Sequence, residues 1–175
     1  MHRRELIQTL CLISGATAVG VWPDLRSVLA QQNIADTTIE EMTKEDWKKL
    51  LEQARYDILF RDKTEPAGSS PLDKQYDPGT YICAACFQPL FSSEDKFDSG
   101  TGWPSFTRPI SDEAIDTKKD FKLIWPRTEY HCSRCEGHQG HVFDDGPPPT
   151  GKRYCNNGLA LRFVPEGDEL PELRP

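Results

Sequence analysis

The sequence predicts a mainly β domain, small and largely antiparallel, with short helices at its front and a structural zinc among its turns. Two observations lead there. Beyond Pro71 the chain breaks into short β-branched and aromatic segments separated by turn residues, and two Cys-x-x-Cys pairs each follow one of those segments. With 175 residues and 37% hydrophobic side chains, one domain with a core of ordinary size is the expectation.

At the N-terminus His2-Arg3-Arg4 precedes an apolar run from Leu6 to Val21, softened by Thr9, Ser14, Gly15, Thr17 and Gly20, and then Val28-Leu29-Ala30. Charged region, apolar region and small-residue cleavage site are the parts of an export signal, so residues 1–30 are expected to be a removable leader. The run falls short of the roughly 20 residues that cross a bilayer, which argues against a permanent membrane span. Cys11 lacks the preceding small residues of a lipobox, so lipid anchoring is not expected either. The adjacent arginines resemble a twin-arginine leader, a route for folded proteins, and the expected destination is the bacterial periplasm. A cytoplasmic protein is the alternative if the leader is not used. Residues 31–42 are polar and aperiodic, as a linker would be.

The pattern changes at Thr43, an N-cap followed by the acids Glu45 and Asp46 in a first turn. Trp47, Leu50, Leu51 and Ala54 recur at helical spacing, predicting a helix over 43–55, which Tyr56, Leu59 and Phe60 extend or follow with a second turn. The stretch from Glu65 to Pro71, rich in Pro, Gly and Ser, then ends regular structure. Strands are expected at 79–83, 122–125, 128–132, 141–143 and 159–164. In the last of these Leu159, Leu161 and Phe163 alternate with Ala160, Arg162 and Val164, so one face is expected on a core. The folded domain is drawn as 43–168, followed by a tail over 169–175.

The net charge is −7, and the first thirty residues carry one more basic than acidic side chain, so the remainder is more acidic still. Lys and Arg are scattered among acids with no stripe to displace counterions from phosphates, which excludes nucleic acid as the main partner.

Six cysteines divide into three groups: Cys11 in the leader, the pairs Cys83/Cys86 and Cys132/Cys135, and Cys155 alone. Four thiolates at that spacing saturate one tetrahedral zinc and leave no open coordination position, so the site would be structural. A redox dithiol or disulfides are the alternatives, and folding with zinc before export would remove the conflict with an oxidising compartment. His131 is expected to point away from a metal already saturated by cysteines. Cys155 is then the thiol left for chemistry, and a nucleophilic role requires a thiolate held by cationic or hydrogen-bonding neighbours. Arg153 and Asn157, at i−2 and i+2, share its side of an extended segment. The plainer alternative is an inert buried cysteine. His138 and His141 stand in a glycine-flanked turn and read as an acid/base pair, or else as one structural and one surface histidine. The loop from Ser99 to Phe106 offers Trp103 and Phe106 either as an aromatic wall for a polarizable group such as a methyl-sulfur end, or as core packing.

Taken together, Cys83-x-x-Cys86, Phe97-Asp98-Ser99-Gly100-Thr101-Gly102-Trp103-Pro104-Ser105-Phe106, Cys132-x-x-Cys135, Gly137-His138-x-Gly140-His141-Val142-Phe143 and Arg153-Tyr154-Cys155-x-Asn157 stand in the order seen in B-type methionine sulfoxide reductases. The chain resembles that family from about Thr43 to Val164. The resemblance implies an Mss4-like, or β-tent, fold of two antiparallel sheets around one structural zinc, without an organic cofactor. It also implies reduction of the R epimer of methionine sulfoxide in oxidised proteins, a repair reaction. Cys155 would attack the sulfoxide sulfur and be left as a sulfenic acid. His138, His141 and Asn157 would hold the oxygen and supply protons, and Trp103 with Phe143 would hold the methyl group. Arg153 as a thiolate stabiliser at the substrate site follows from its charge and spacing rather than from the resemblance.

One position departs from a common family pattern. A resolving cysteine in the loop before Gly102-Trp103-Pro104-Ser105-Phe106 is replaced here by Thr101. The sulfenic acid is therefore expected to be reduced by an external thiol, on a thioredoxin-like protein or a small molecule, and the chain is expected to be a monomer. Two rivals make different demands on the cysteines. A zinc-ribbon-like binding module would bury Cys155, and a thiol peroxidase or disulfide oxidoreductase would use a Cys-x-x-Cys pair free of metal.

Overall fold

The computed structural model describes residues 38–121 and 126–174. The leader 1–30, most of the linker and the strand expected at 122–125 lie outside the described residues. Two helices, α1 (Lys44–Leu50) and α2 (Gln53–Arg61), precede nine strands: β1 (Gly79–Cys83), β2 (Pro89–Ser92), β3 (Lys96–Phe97), β4 (Ser105–Phe106), β5 (Ile115–Asp120), β6 (Arg127–Cys132), β7 (His138–Phe143), β8 (Arg153–Asn156) and β9 (Leu161–Pro165). They form a three-stranded sheet in the order β2-β1-β9 and a six-stranded sheet in the order β3-β4-β8-β7-β6-β5. Every pairing is antiparallel, as expected for a mainly β fold of two sheets.

The front of the chain departs from the single helix expected over 43–55. Thr43 caps α1 by accepting from the Asp46 N–H, but Leu51 is extended, at φ −106° and ψ 146°, and the helix stops there. The break lets α2 fold back on α1, so that Trp47 and Phe60 stack with centroids 5.5 Å apart. Burial of Trp47, Leu51, Tyr56, Leu59 and Phe60 outweighs the few tenths of a kcal/mol per residue that continued helix would gain.

Between the sheets lies an aromatic core drawn from both. Tyr81, Phe91 and Phe163 come from the small sheet, and Phe106, Tyr130 and Tyr154 from the large one. Phe91 stacks on Phe106 at 4.3 Å, Tyr81 meets Phe106 at 4.9 Å and Phe163 at 5.1 Å, and Tyr130 packs edge-on to Tyr154 at 5.4 Å. The period-2 alternation of the strands decides what faces away. On β8, Tyr154 and Asn156 turn to this core, while Arg153 and Cys155 turn to the other face.

Strand β5 was not foreseen because four of its six residues are exposed and polar, as suits an edge strand that must not recruit another chain. The expected strand at 159–164 begins only at Leu161, since Gly158–Ala160 forms a 3-10 turn. Phe106 is fully buried, so its half of the Trp103/Phe106 alternative resolves to core packing.

Gly140 packs tightly against β8, opposite Asn156. A Cβ there would sit 1.9 Å from the carbonyl oxygen of Cys155, a backbone atom that cannot swing away. Gly140→Ala is therefore expected to destabilise the domain by about 1–3 kcal/mol, the usual cost of overpacking, measured by urea denaturation. An unchanged midpoint would contradict this close approach.

Candidate active site

The site is built on the outer face of the large sheet, and a β-bulge assembles it. His138 and His141 are three apart, so in a regular strand they would point to opposite faces. Across β6 and β7, however, Tyr130 pairs with Gly140 and His131 with His138, which leaves Gln139 as an extra residue. That insertion returns both imidazoles to one face, with ring centroids 5.5 Å apart. His141 pairs across the ladder with Cys155, and Phe143 with Arg153, so the same face also carries the thiol.

His141 is aimed by a buried carboxylate through a hydrogen bond, and a second buried carboxylate lies beside His138. His138 Nδ1 lies 2.9 Å from Glu129 Oε1, and His141 Nε2 lies 2.8 Å from Asp120 Oδ2. Burial lowers the pKa of His141, and the hydrogen bond to Asp120 opposes that shift. A carboxylate that accepts the Nε2 proton leaves Nδ1 of His141 as the atom able to exchange one. Arg127 Nη2 contacts the same Asp120 oxygen at 2.8 Å, and Lys118 Nζ lies 3.0 Å from Glu129 Oε1, so both carboxylates also carry a cation.

A pocket of about 130 Å³ is lined by Trp103, His141, Phe143, Cys155 and Asn157, together with Thr64 and Arg127. His138 does not line it but lies beside His141, 2% exposed. Asn157 is pinned: its Nδ2 donates to the Gln139 carbonyl at 3.0 Å and its Oδ1 accepts from the Glu65 N–H at 3.1 Å. Trp103 presents its indole to the pocket while Nε1 donates to the Glu65 carbonyl at 3.1 Å. Arg153 stands apart from the pocket lining. Its guanidinium makes a two-point contact with Asp145, both bonds 2.8 Å, and lies over Phe143 at 4.3 Å.

Cys155 is half-buried, and that burial raises its pKa above the ordinary thiol value. The Arg153 charge and a hydrogen bond from Thr101 work in the opposite direction without reversing the shift. The net direction favours the thiol form, against the thiolate that a nucleophilic role was expected to require.

Several contributors escaped the sequence. Glu65 is 4% exposed, and its carboxylate accepts from the Gly158 and Leu159 N–H groups at 2.6 and 2.9 Å while its backbone holds Trp103 and Asn157. It lay in a stretch read only as a break. Glu129 was read only as part of the strand expected at 128–132, and Asp120 and Arg127 lay outside every expected strand. The one available signal was acids on strands flanking a histidine pair.

The four cysteines outside the pocket converge from different sheets. Cys83 and Cys86 close the β1–β2 turn, Cys132 and Cys135 close the β6–β7 turn, and their sulfurs all lie within 4.8 Å of one another. This cluster could hold a metal ion. The two turns are built alike: Phe87 N–H donates to the Cys83 carbonyl at 3.0 Å and Glu136 N–H to the Cys132 carbonyl at 2.9 Å. Phe87 at φ 67° and Glu136 at φ 58° both take the left-handed conformation, at about 1–2 kcal/mol each. Gln139, the bulge residue, donates from Nε2 to Cys83 Sγ at 3.5 Å. His131 is not among the clustered ligands.

A half-buried thiol, two histidines on one face and an aromatic wall thus meet on the large sheet, which a four-cysteine cluster joins to the small one. Residues 51–165 match the SelR domain family. A peptide methionine sulfoxide reductase MsrB from Leptospira interrogans is 52% identical over 122 residues, which cover 70% of this chain and 93% of the relative. The protein of that name from Methanosarcina barkeri is 49% identical over 126 residues, 72% of this chain and 89% of the relative. The mitochondrial methionine-R-sulfoxide reductase B3 of Mus musculus is 46% identical over 123 residues, 70% of this chain and 49% of the relative. The chain belongs to the MsrB family of methionine sulfoxide reductases.

The pH dependence of Cys155 alkylation tests the electrostatics directly. The apparent pKa is expected above the ordinary thiol value, and Arg153→Met and Thr101→Val should each raise it further, because each removes a group that favours the thiolate. An apparent pKa unmoved in both variants would contradict these assignments.

Proposed function

We propose that Cys155 is the nucleophile of a peptide-methionine (R)-S-oxide reductase, an oxidoreductase that returns methionine sulfoxide in oxidised proteins to methionine. Membership of the MsrB family supports the reaction. The single observation that carries the residue assignment is the small pocket in which Cys155, His141, Trp103, Phe143 and Asn157 meet.

The sulfoxide methyl group would lie against Trp103 and Phe143, and the sulfoxide oxygen would face His141 and Asn157. Cys155 loses its proton as Sγ attacks the sulfoxide sulfur. His141, aimed by Asp120, is placed to move that proton to the oxygen, with His138 beside it as a second imidazole. A raised thiol pKa suits this order, since the proton needed on the oxygen is still on the enzyme when substrate arrives. Methionine leaves, the oxygen passes to sulfur, and Cys155 becomes a sulfenic acid. One external thiol then displaces water to give a mixed disulfide, and a second thiol releases Cys155, so two thiols are oxidised for each sulfoxide reduced. Thr101, at the place where many relatives carry a resolving cysteine, supports an external donor, either a thioredoxin-like protein or a small thiol. Arg153 acts on the thiolate by charge, from outside the pocket.

The four-cysteine cluster is read as a structural zinc site. Sulfurs bound to one tetrahedral zinc at about 2.3 Å lie about 3.8 Å apart. Cys83 and Cys135, and likewise Cys86 and Cys132, are separated by 3.6 Å, well beyond a disulfide bond of about 2.05 Å. A zinc there would tie two left-handed turns from different sheets. Its chemistry is structural, because cysteines fill all four positions.

The charged, apolar and small-residue order of residues 1–30 supports export to the bacterial periplasm. Among the described residues, no helix is long and apolar enough to cross a membrane.

An epimer-resolved assay on a methionine sulfoxide peptide tests the assignment. The R epimer is expected to be consumed and the S epimer left, with Cys155→Ser reducing turnover to background. Consumption of the S epimer alone, or full activity in Cys155→Ser, would overturn it.

A further inference from the structure

The residues after β9 leave the domain and then return to it. From 165 to 173 every residue is exposed, and at Arg174 the chain becomes half-buried again. The return is made on the first cysteine turn. The Arg174 backbone N–H donates to the Cys86 carbonyl at 3.1 Å, and its Nη1 donates to the Ala85 carbonyl at 3.3 Å. Arg134, from inside the second cysteine turn, donates to the same Cys86 carbonyl at 3.3 Å and also to the carbonyl of Arg174. A third guanidinium, Arg162, lies 5.0 Å from the Phe87 ring, and that of Arg174 lies 4.2 Å from the same ring.

These contacts have a common object. Four thiolates around a dication carry a net charge of two minus, and such a centre is stabilised by surrounding donors and cations. Gln139 supplies a donor to Cys83. The guanidiniums supply positive charge beside the first turn, and Arg134 links the two turns through the Cys86 carbonyl. Loss of metal requires a cysteine turn to open, and Arg174 and Arg134 brace the turn at 83–87 through its Ala85 and Cys86 carbonyls.

We propose that the C-terminal segment carrying Arg174 is a cationic clamp, made with Arg134 and Arg162, that retains zinc in the four-cysteine centre. Arg174 lies beyond the SelR match, which ends at residue 165, whereas Arg134 and Arg162 lie within it. It rests on the zinc reading given above and adds to it a device that governs how fast the metal leaves. Oxidising or metal-poor surroundings are where slow release would matter most.

Full-length protein is first assayed for zinc content, and zinc release into a colorimetric chelator is then timed. Arg174→Ala, and a chain shortened to end at Asp168, are expected to release zinc about tenfold faster. Arg174→Lys should fall between these and the parent, since it keeps the charge but loses the planar fork and the ring contact. Sulfoxide reduction by each zinc-loaded variant should be unchanged, because Arg174 touches no pocket residue. Equal release rates for parent and variants, with the parent fully zinc-loaded, would overturn the clamp alone. A parent without stoichiometric zinc would overturn the zinc reading and the clamp with it.

Discussion

The convergence of four cysteine sulfurs from two separate sheets is the constraint on which the rest of this molecule depends. The small sheet contributes Cys83 and Cys86, and the large sheet contributes Cys132 and Cys135. The strands that carry the aromatic core between the sheets are short, two to six residues each. Two left-handed turns that oppose folding by about 1–2 kcal/mol each are retained at equivalent places, which makes sense if a shared ligand holds them.

That constraint reaches the chemistry through one residue. Gln139 touches Cys83 with its side chain, forms the bulge that turns His138 and His141 to one face, and offers its carbonyl to both the backbone and the side-chain amide of Asn157. The cysteine cluster, the bulge that orients the histidine pair and the pocket amide thus meet in one residue. Glu65 serves the opposite wall, where its carboxylate fixes the turn after β8 and its backbone holds Trp103. A pocket of about 130 Å³ leaves little tolerance for error in these supports.

What was legible in the sequence, and what was not, divides along physical lines. Cysteine spacing and the ordered motifs carry their meaning in adjacent residues, so Cys155, the cysteine turns and the pocket side chains Trp103, His141, Phe143 and Asn157 could be named at once. The split of the front helix could not, because it depends on Trp47 meeting Phe60 after the chain turns back. The same holds for Glu65, Asp120 and Glu129, whose partners are distant in sequence or lie across a strand. Strand β5 is polar because it is an edge, and polarity hides a strand from period counting. Whether Cys155 is a thiol or a thiolate was also beyond the sequence. Arg153 at i−2 suggested a lowered pKa, but burial outweighs it.

Among the described residues the remaining cysteines are all in the cluster, so the oxidised state of Cys155 has no partner within the domain. The most direct measurement of this single-thiol cycle is mass spectrometry of the zinc-loaded protein after one turnover without reductant, with a sulfenic-acid trap added. Trapped adduct on Cys155 and an intact four-cysteine cluster are expected. A disulfide joining Cys155 to any other cysteine of the chain would contradict it.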